Sequence, residues 1–150
     1  VVGVGPGFTV GVDCHAVVET MRGHTLGRAY YEGSALPNTA VPGLVGGFAG
    51  ERVLRAPYDG VFRGVAAIGD HVGEGQTVAY VGDTPVVATL TGVLRGLIAD
   101  GVQVRQGLKC GDVDPRGESG YCGLVSDKGL AVAGGVLEAI LHLSGTFSAR

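Results

Sequence analysis

The densest run of reactive side chains is Asp13, Cys14, His15, Glu19, Arg22, His24 and Arg28, all within sixteen positions. Imidazole, thiolate and carboxylate could together hold a metal ion. The spacing matches no recognised ligand pattern, so no metal is expected. Arg22 and Arg28 could instead clamp an anion through charge-assisted hydrogen bonds. His15 and Glu19 lie four apart, an offset that keeps two side chains on one face of either a strand or a helix. They could then act as an acid/base pair. Upstream, Gly5-Pro6-Gly7-Phe8 follows an apolar run, and such a turn can aim backbone N–H groups at a phosphate. The full G-x-G-x-x-G pattern is not met, because Phe8 interrupts it. The ligand-binding candidates are therefore Gly5, Gly7, His15, Glu19, Arg22, His24 and Arg28. The competing reading is a salt-bridged polar face beside a tight turn.

A second candidate is Cys122 with Lys128. Cys122 precedes an expected helix start, where partial positive charge and a nearby ammonium lower a thiol pKa. A thiolate present near neutrality would be a nucleophile toward sulfur or selenium. Against this, a free cysteine more often behaves as a small buried hydrophobe. Cys14, Cys110 and Cys122 cannot all pair and are too far apart for a zinc finger, so reduced thiols are expected. Asp112, Asp114 and Arg116 could hold a cation, or close a turn on themselves.

The elements that must position these groups begin with a repeat. Ala56 to Gly64 aligns with Ala88 to Gly96 at an offset of 32, and the alignment continues through Gly69/Gly101, Val72/Val104, Gly75/Gly107 and Val81/Val113. Ten of the twenty-six positions from Ala56 to Val81 match. Glycines at fixed offsets mark turns with positive φ or close backbone approach, so the copies should share turns as well as strands. Cys110 falls where the first copy has Val78, which points it into a core. The pattern resembles a biotinyl/lipoyl-type barrel-sandwich hybrid, with "A-P-x-x-G-x-V" at Ala56 to Val61 and "G-D-x-V-x-x-G-Q" at Gly69 to Gln76. A carrier of that type needs a lysine in the hairpin between its halves. Gly82-Asp83-Thr84-Pro85 has none, so the resemblance implies scaffold without attachment chemistry.

Around the repeat, Val1 to Val4, Asp13 to Thr20 and Gly27 to Tyr31 read as short strands. Residues 33–50 are glycine-rich, carry two prolines and no charge, and read as a loop. From Gly129 to Leu143 apolar residues recur at helical spacing behind an N-cap at Ser126 or Asp127, although Gly134-Gly135 weakens the helix. Ser144 to Arg150 reads as a tail. The expected fold is mostly β: an N-terminal β portion over 1–55, a barrel-sandwich hybrid over 56–116, and a loop and helix over 117–150.

Glycine, at 29 of 150 residues, is more than twice its usual share. A net charge of −3 with mixed signs gives no nucleic-acid footprint. No apolar run is long enough for a membrane span, and no signal peptide opens the sequence, so the cytoplasm is expected. The opening Val1-Val2-Gly3-Val4-Gly5 reads as a strand entered partway, as in a fragment.

Several stretches together are similar to one family. They are Gly5-Pro6-Gly7-Phe8; His15 to Thr20 with Arg22-Gly23-His24 and Leu26-Gly27-Arg28; Arg52 to Pro57; Leu94 to Ile98; Gly111 to Arg116; Ser126-Asp127-Lys128; and Gly134 to Ala139. These resemble the selenium-dependent molybdenum hydroxylase system proteins, the YqeB-type accessory family. The resemblance implies a maturation factor that handles the molybdenum cofactor or a labile selenium species. It also implies a molybdenum hydroxylase client and selenium-donor proteins as partners. The resemblance implies a further N-terminal α/β half, so residues 1–55 are expected to be the end of a larger α/β domain. Where the family often has Asp-Val-His, this chain has Asp13-Cys14-His15. Three roles follow: binding of the cofactor or client, selenium or sulfur transfer on Cys122, and a non-catalytic assembly module that docks through 33–50.

Overall fold

The computed structural model describes residues 1–39 and 43–146. Residues 40–42 of the expected loop and 147–150 of the expected tail lie outside the described residues. The chain divides into two compact units, Val1–Ala40 with Val125–Arg150, and Val41–Leu124.

The second unit follows the 32-residue offset strand by strand. The first copy supplies β4 (Val53–Arg55), β5 (Gly60–Gly64), β6 (His71–Val72) and β7 (Thr77–Val81). The second supplies β8 (Thr84–Val87), β9 (Gly92–Leu97), β10 (Gln103–Val104) and β11 (Lys109–Asp114). Neither copy forms a sheet alone. One sheet runs β10-β5-β7-β8 and the other β4-β11-β9-β6, so each takes two strands from each copy. Exchanging the copies turns one order into the other.

The connections obey the same rule. Gly75 N–H donates to the Ala88 carbonyl at 2.8 Å, and its counterpart Gly107 donates to Ala56 at 2.9 Å. Gly69 donates to Leu94 and Gly101 to Phe62, again a matched pair at 2.8 and 2.9 Å. All four glycines have positive φ, between 80° and 102°, a region costly for any side chain with a Cβ. The shared glycines therefore fix shared turns. On β5 Phe62 is buried between exposed Val61 and Arg63, as period two requires, whereas register shifts interrupt the alternation on β7 and β11. Phe62, Val78, Leu94, Cys110 and Val113 meet in one core drawn from both copies. Cys110 is fully buried there, and burial raises its thiol pKa.

The first unit is smaller. β1 (Val2–Val4) pairs in parallel with β2 (Ala16–Val18), and β2 pairs antiparallel with β3 (Ala29–Tyr30). Helix α1 (Asp127–Leu143) packs against all three strands. Its N-cap is Ser126, whose Oγ accepts from Gly129 N–H at 3.1 Å. Gly135 does not simply weaken the helix. A Cβ there would collide with the Gly27 carbonyl oxygen and come within 2.8 Å of Val18 Cγ1, so glycine lets α1 approach the sheet backbone. Gly134, one residue earlier, faces open space. Among the described residues, no helix is long and apolar enough to cross a membrane.

Candidate functional site

The sequence cluster from Asp13 to Arg28 is split by the first unit's backbone. β2 buries residues 16–18 completely and carries Glu19 inside with them, whereas His15 at its start is exposed. The expected pair of His15 and Glu19 therefore does not share one environment. Glu19 Oε1 accepts from Met21 N–H at 2.7 Å and Oε2 from Leu36 N–H at 2.9 Å. Its carboxylate ties two loops together, which is how a buried acid is satisfied without a cation.

Arg22 makes a two-pronged contact with Asp127 at 2.6 and 2.9 Å, joining the β2–β3 turn to the first turn of α1. That geometry gives a strong ion pair and also neutralises the charge meant for an anion. Gly5 N–H is taken by the Val18 carbonyl at 2.9 Å, and Phe8 folds back over Gly3. Gly7 has a φ of 99° in the same turn. Cys14 is buried with Val17 and Ala35, and His24 is exposed in a turn. Gly5 N–H and the Arg22 guanidinium are thus both engaged within the first unit. Arg28 is exposed and lines an open concavity of about 340 Å³ with Ala29, Tyr30, Tyr31 and Glu32. Tyr31 donates to Glu138 at 3.3 Å and sits beside His142, and partial burial raises its pKa. No group of three metal-ligating side chains gathers among the described residues.

Cys122 and Lys128 belong to different units, so neither unit by itself carries the proximity inferred from their spacing. Cys122 lies in a 3₁₀ segment, Ser119–Gly123, half-buried, with its thiol 4.0 Å from the Leu94 carbonyl. It is the least buried of the three cysteines.

The sequence offers Asp112, Asp114 and Arg116 as a cation site or a self-closed turn, and Arg116 does close on Asp114. Asp114 is almost fully buried and accepts from Arg95 at 3.2 Å and from Arg116 at 2.6 Å. Those hydrogen bonds outweigh its burial and hold its pKa down to about 2. Arg116 also stacks over Tyr121 at 4.7 Å, which fixes the 3₁₀ segment. Beside it, Asp112 accepts from Arg52 at 3.0 Å and lies 3.4 Å from Lys109. Arg95 and Arg52 were missed as partners. The match of Arg63 with Arg95 in the repeat was the available signal for the first.

No family profile matches the chain. The uncharacterized protein YqeB of Escherichia coli strain K12 is 51% identical over 142 residues, which is 95% of this chain. That similarity supports the YqeB-type resemblance. The aligned part is 26% of YqeB, so the chain spans about a quarter of that relative's length. A crystal structure of an aspartoacylase family protein from Mesorhizobium loti is similar at 15% identity and a TM-score of 0.39. It covers 42% of this chain and 22% of that one.

Proposed function

We propose that the chain is a non-catalytic assembly module within an accessory factor for a selenium-dependent molybdenum hydroxylase, and that it acts by binding the client enzyme. One observation carries the preference for binding over group transfer. Three of the side chains suited to chemistry are spent on the scaffold: Arg22 on Asp127, Glu19 on two backbone N–H groups, Asp114 on Arg95 and Arg116. The YqeB-type resemblance supplies the selenium and molybdenum context. In the same reading, the two sheets that exchange strands support a barrel-sandwich hybrid, and the β7–β8 hairpin has no amine to carry a cofactor. A cytoplasmic location fits this role.

The test uses the purified chain and a purified apo-hydroxylase of the selenium-dependent type. Calorimetry should detect a complex, and the Cys122→Ser chain should bind as tightly and support selenium loading of the client equally well. A complex that forms while Cys122→Ser abolishes loading would favour transfer through Cys122 instead. Absence of any complex would overturn the proposal.

A further inference from the structure

The two copies let one sheet face be read against the other. On β9, Leu94 points into the core while Val93 and Arg95 point outward. Val93 is nevertheless fully buried, and the Ser119–Gly123 segment lies close to β9. Arg95 there pairs with Asp114. On β5 the same positions are Val61 and Arg63, identical residues at the same offset. Val61 is 51% exposed. The counterpart of Asp114 is Gly82, so the carboxylate that Arg95 has is missing. Arg63 rests over the Tyr80 ring at 4.9 Å, and among the described residues it has no acidic partner. Pro85 and Val87 on β8 extend the exposed surface, and Val65 lies at its other margin.

We propose that this outer face of the β10-β5-β7-β8 sheet is a docking surface for a turn of a partner protein. That turn supplies what residues 114–123 supply on the other sheet, a carboxylate for Arg63 and an apolar cover for Val61. Charge complementarity selects an acidic turn. An exposed cation over an aromatic ring, beside a β-branched patch, offers an apolar centre with a polar anchor, the composition of a binding surface. The proline on β8 discourages simple edge-to-edge strand addition, because it removes a backbone donor. The inference rests on comparing the two copies and stands apart from the selenium reading.

The probe is a synthetic peptide spanning Asp114 to Gly123 of this chain with Cys122→Ser, titrated into the isotope-labelled intact chain. At millimolar peptide, the amide signals of Val61, Arg63 and Tyr80 should shift while those of Val93 and Arg95 stay. Arg63→Gln should weaken binding about two- to fivefold, the range for one exposed ion pair. Binding to an Arg63→Glu chain should recover when the peptide carries Asp114→Lys. Shifts indifferent to residue 63, shifts at Val93 and Arg95 instead, or none up to the peptide's solubility would overturn the proposal. Shifts at Val61 and Arg63 that grow with the chain's own concentration before peptide is added would make the occupant a second copy, and would overturn the partner assignment.

Discussion

Gly134 and Gly135 are neighbours in one helix, and the same substitution at each should move stability in opposite directions. Glycine in a helix interior costs about 1 kcal/mol relative to alanine, so both Gly→Ala changes begin with that gain. At Gly134 a new Cβ meets nothing within 4 Å, and the gain should survive. At Gly135 the Cβ would overlap the Gly27 carbonyl oxygen and press on Val18 Cγ1 at 2.8 Å. The first of these atoms is backbone in the turn entering β3, and Val18 is a buried residue of β2, so neither can swing away. Overpacking of this kind costs about 1–3 kcal/mol, with more where backbone must move. Gly134→Ala should therefore stabilise by about 0.5–1 kcal/mol, and Gly135→Ala should give a net loss of about 1–2 kcal/mol. Urea unfolding followed by the far-UV helix signal reports on this, because α1 is the chain's one long helix among the described residues. A gain from both variants would refute the close approach of α1 to Gly27. A loss from both would refute the claim that propensity governs the open position.

The Asp114 carboxylate gives a pH prediction. Its folded pKa, about 2, lies below the ordinary 3.8, so its contribution is full above pH 4 and is lost as pH falls toward 2. That shift corresponds to about 2 kcal/mol, and Asp114→Asn should flatten the acid limb of a stability-versus-pH curve. An unchanged acid limb would show that the arginines do not hold this group ionised. Cys122 should be alkylated well ahead of Cys14 and Cys110, since those two are buried and burial also raises the Cys110 pKa; mass spectrometry of a timed reaction with iodoacetamide reads the order. Equal rates would contradict the packing of Cys110. Gly75→Ala and Gly107→Ala meet no atom within 4 Å, and their φ values are 80° and 81°. Each should cost about 1 kcal/mol from backbone strain alone, equal within about 0.5 kcal/mol by denaturant melts. A clear inequality would mean that the matched turns are not equivalent.

What the sequence determined by itself was local and periodic. Glycines at a fixed offset specified two copies with the same turns, because positive φ is a property of one residue and its neighbours. The 32-residue offset placed Cys110 at the position of Val78, and Ser126 or Asp127 marked the start of α1. The pairing of strands between copies was decided only in three dimensions, since each copy's strands find hydrogen-bond partners in the other. The fate of Arg22 was hidden for a similar reason: its partner Asp127 lies 105 positions away. Glu19 looked like an acid for chemistry until two backbone donors, one of them from Leu36, enclosed it. Val61 and Val93 make the division plain. They are the same residue in the same local pattern, and one is half exposed while the other is fully buried. The strand direction of each side chain follows from its own segment. Its burial depends on what packs against that face, and Ser119–Gly123 lies close to β9 of the second copy.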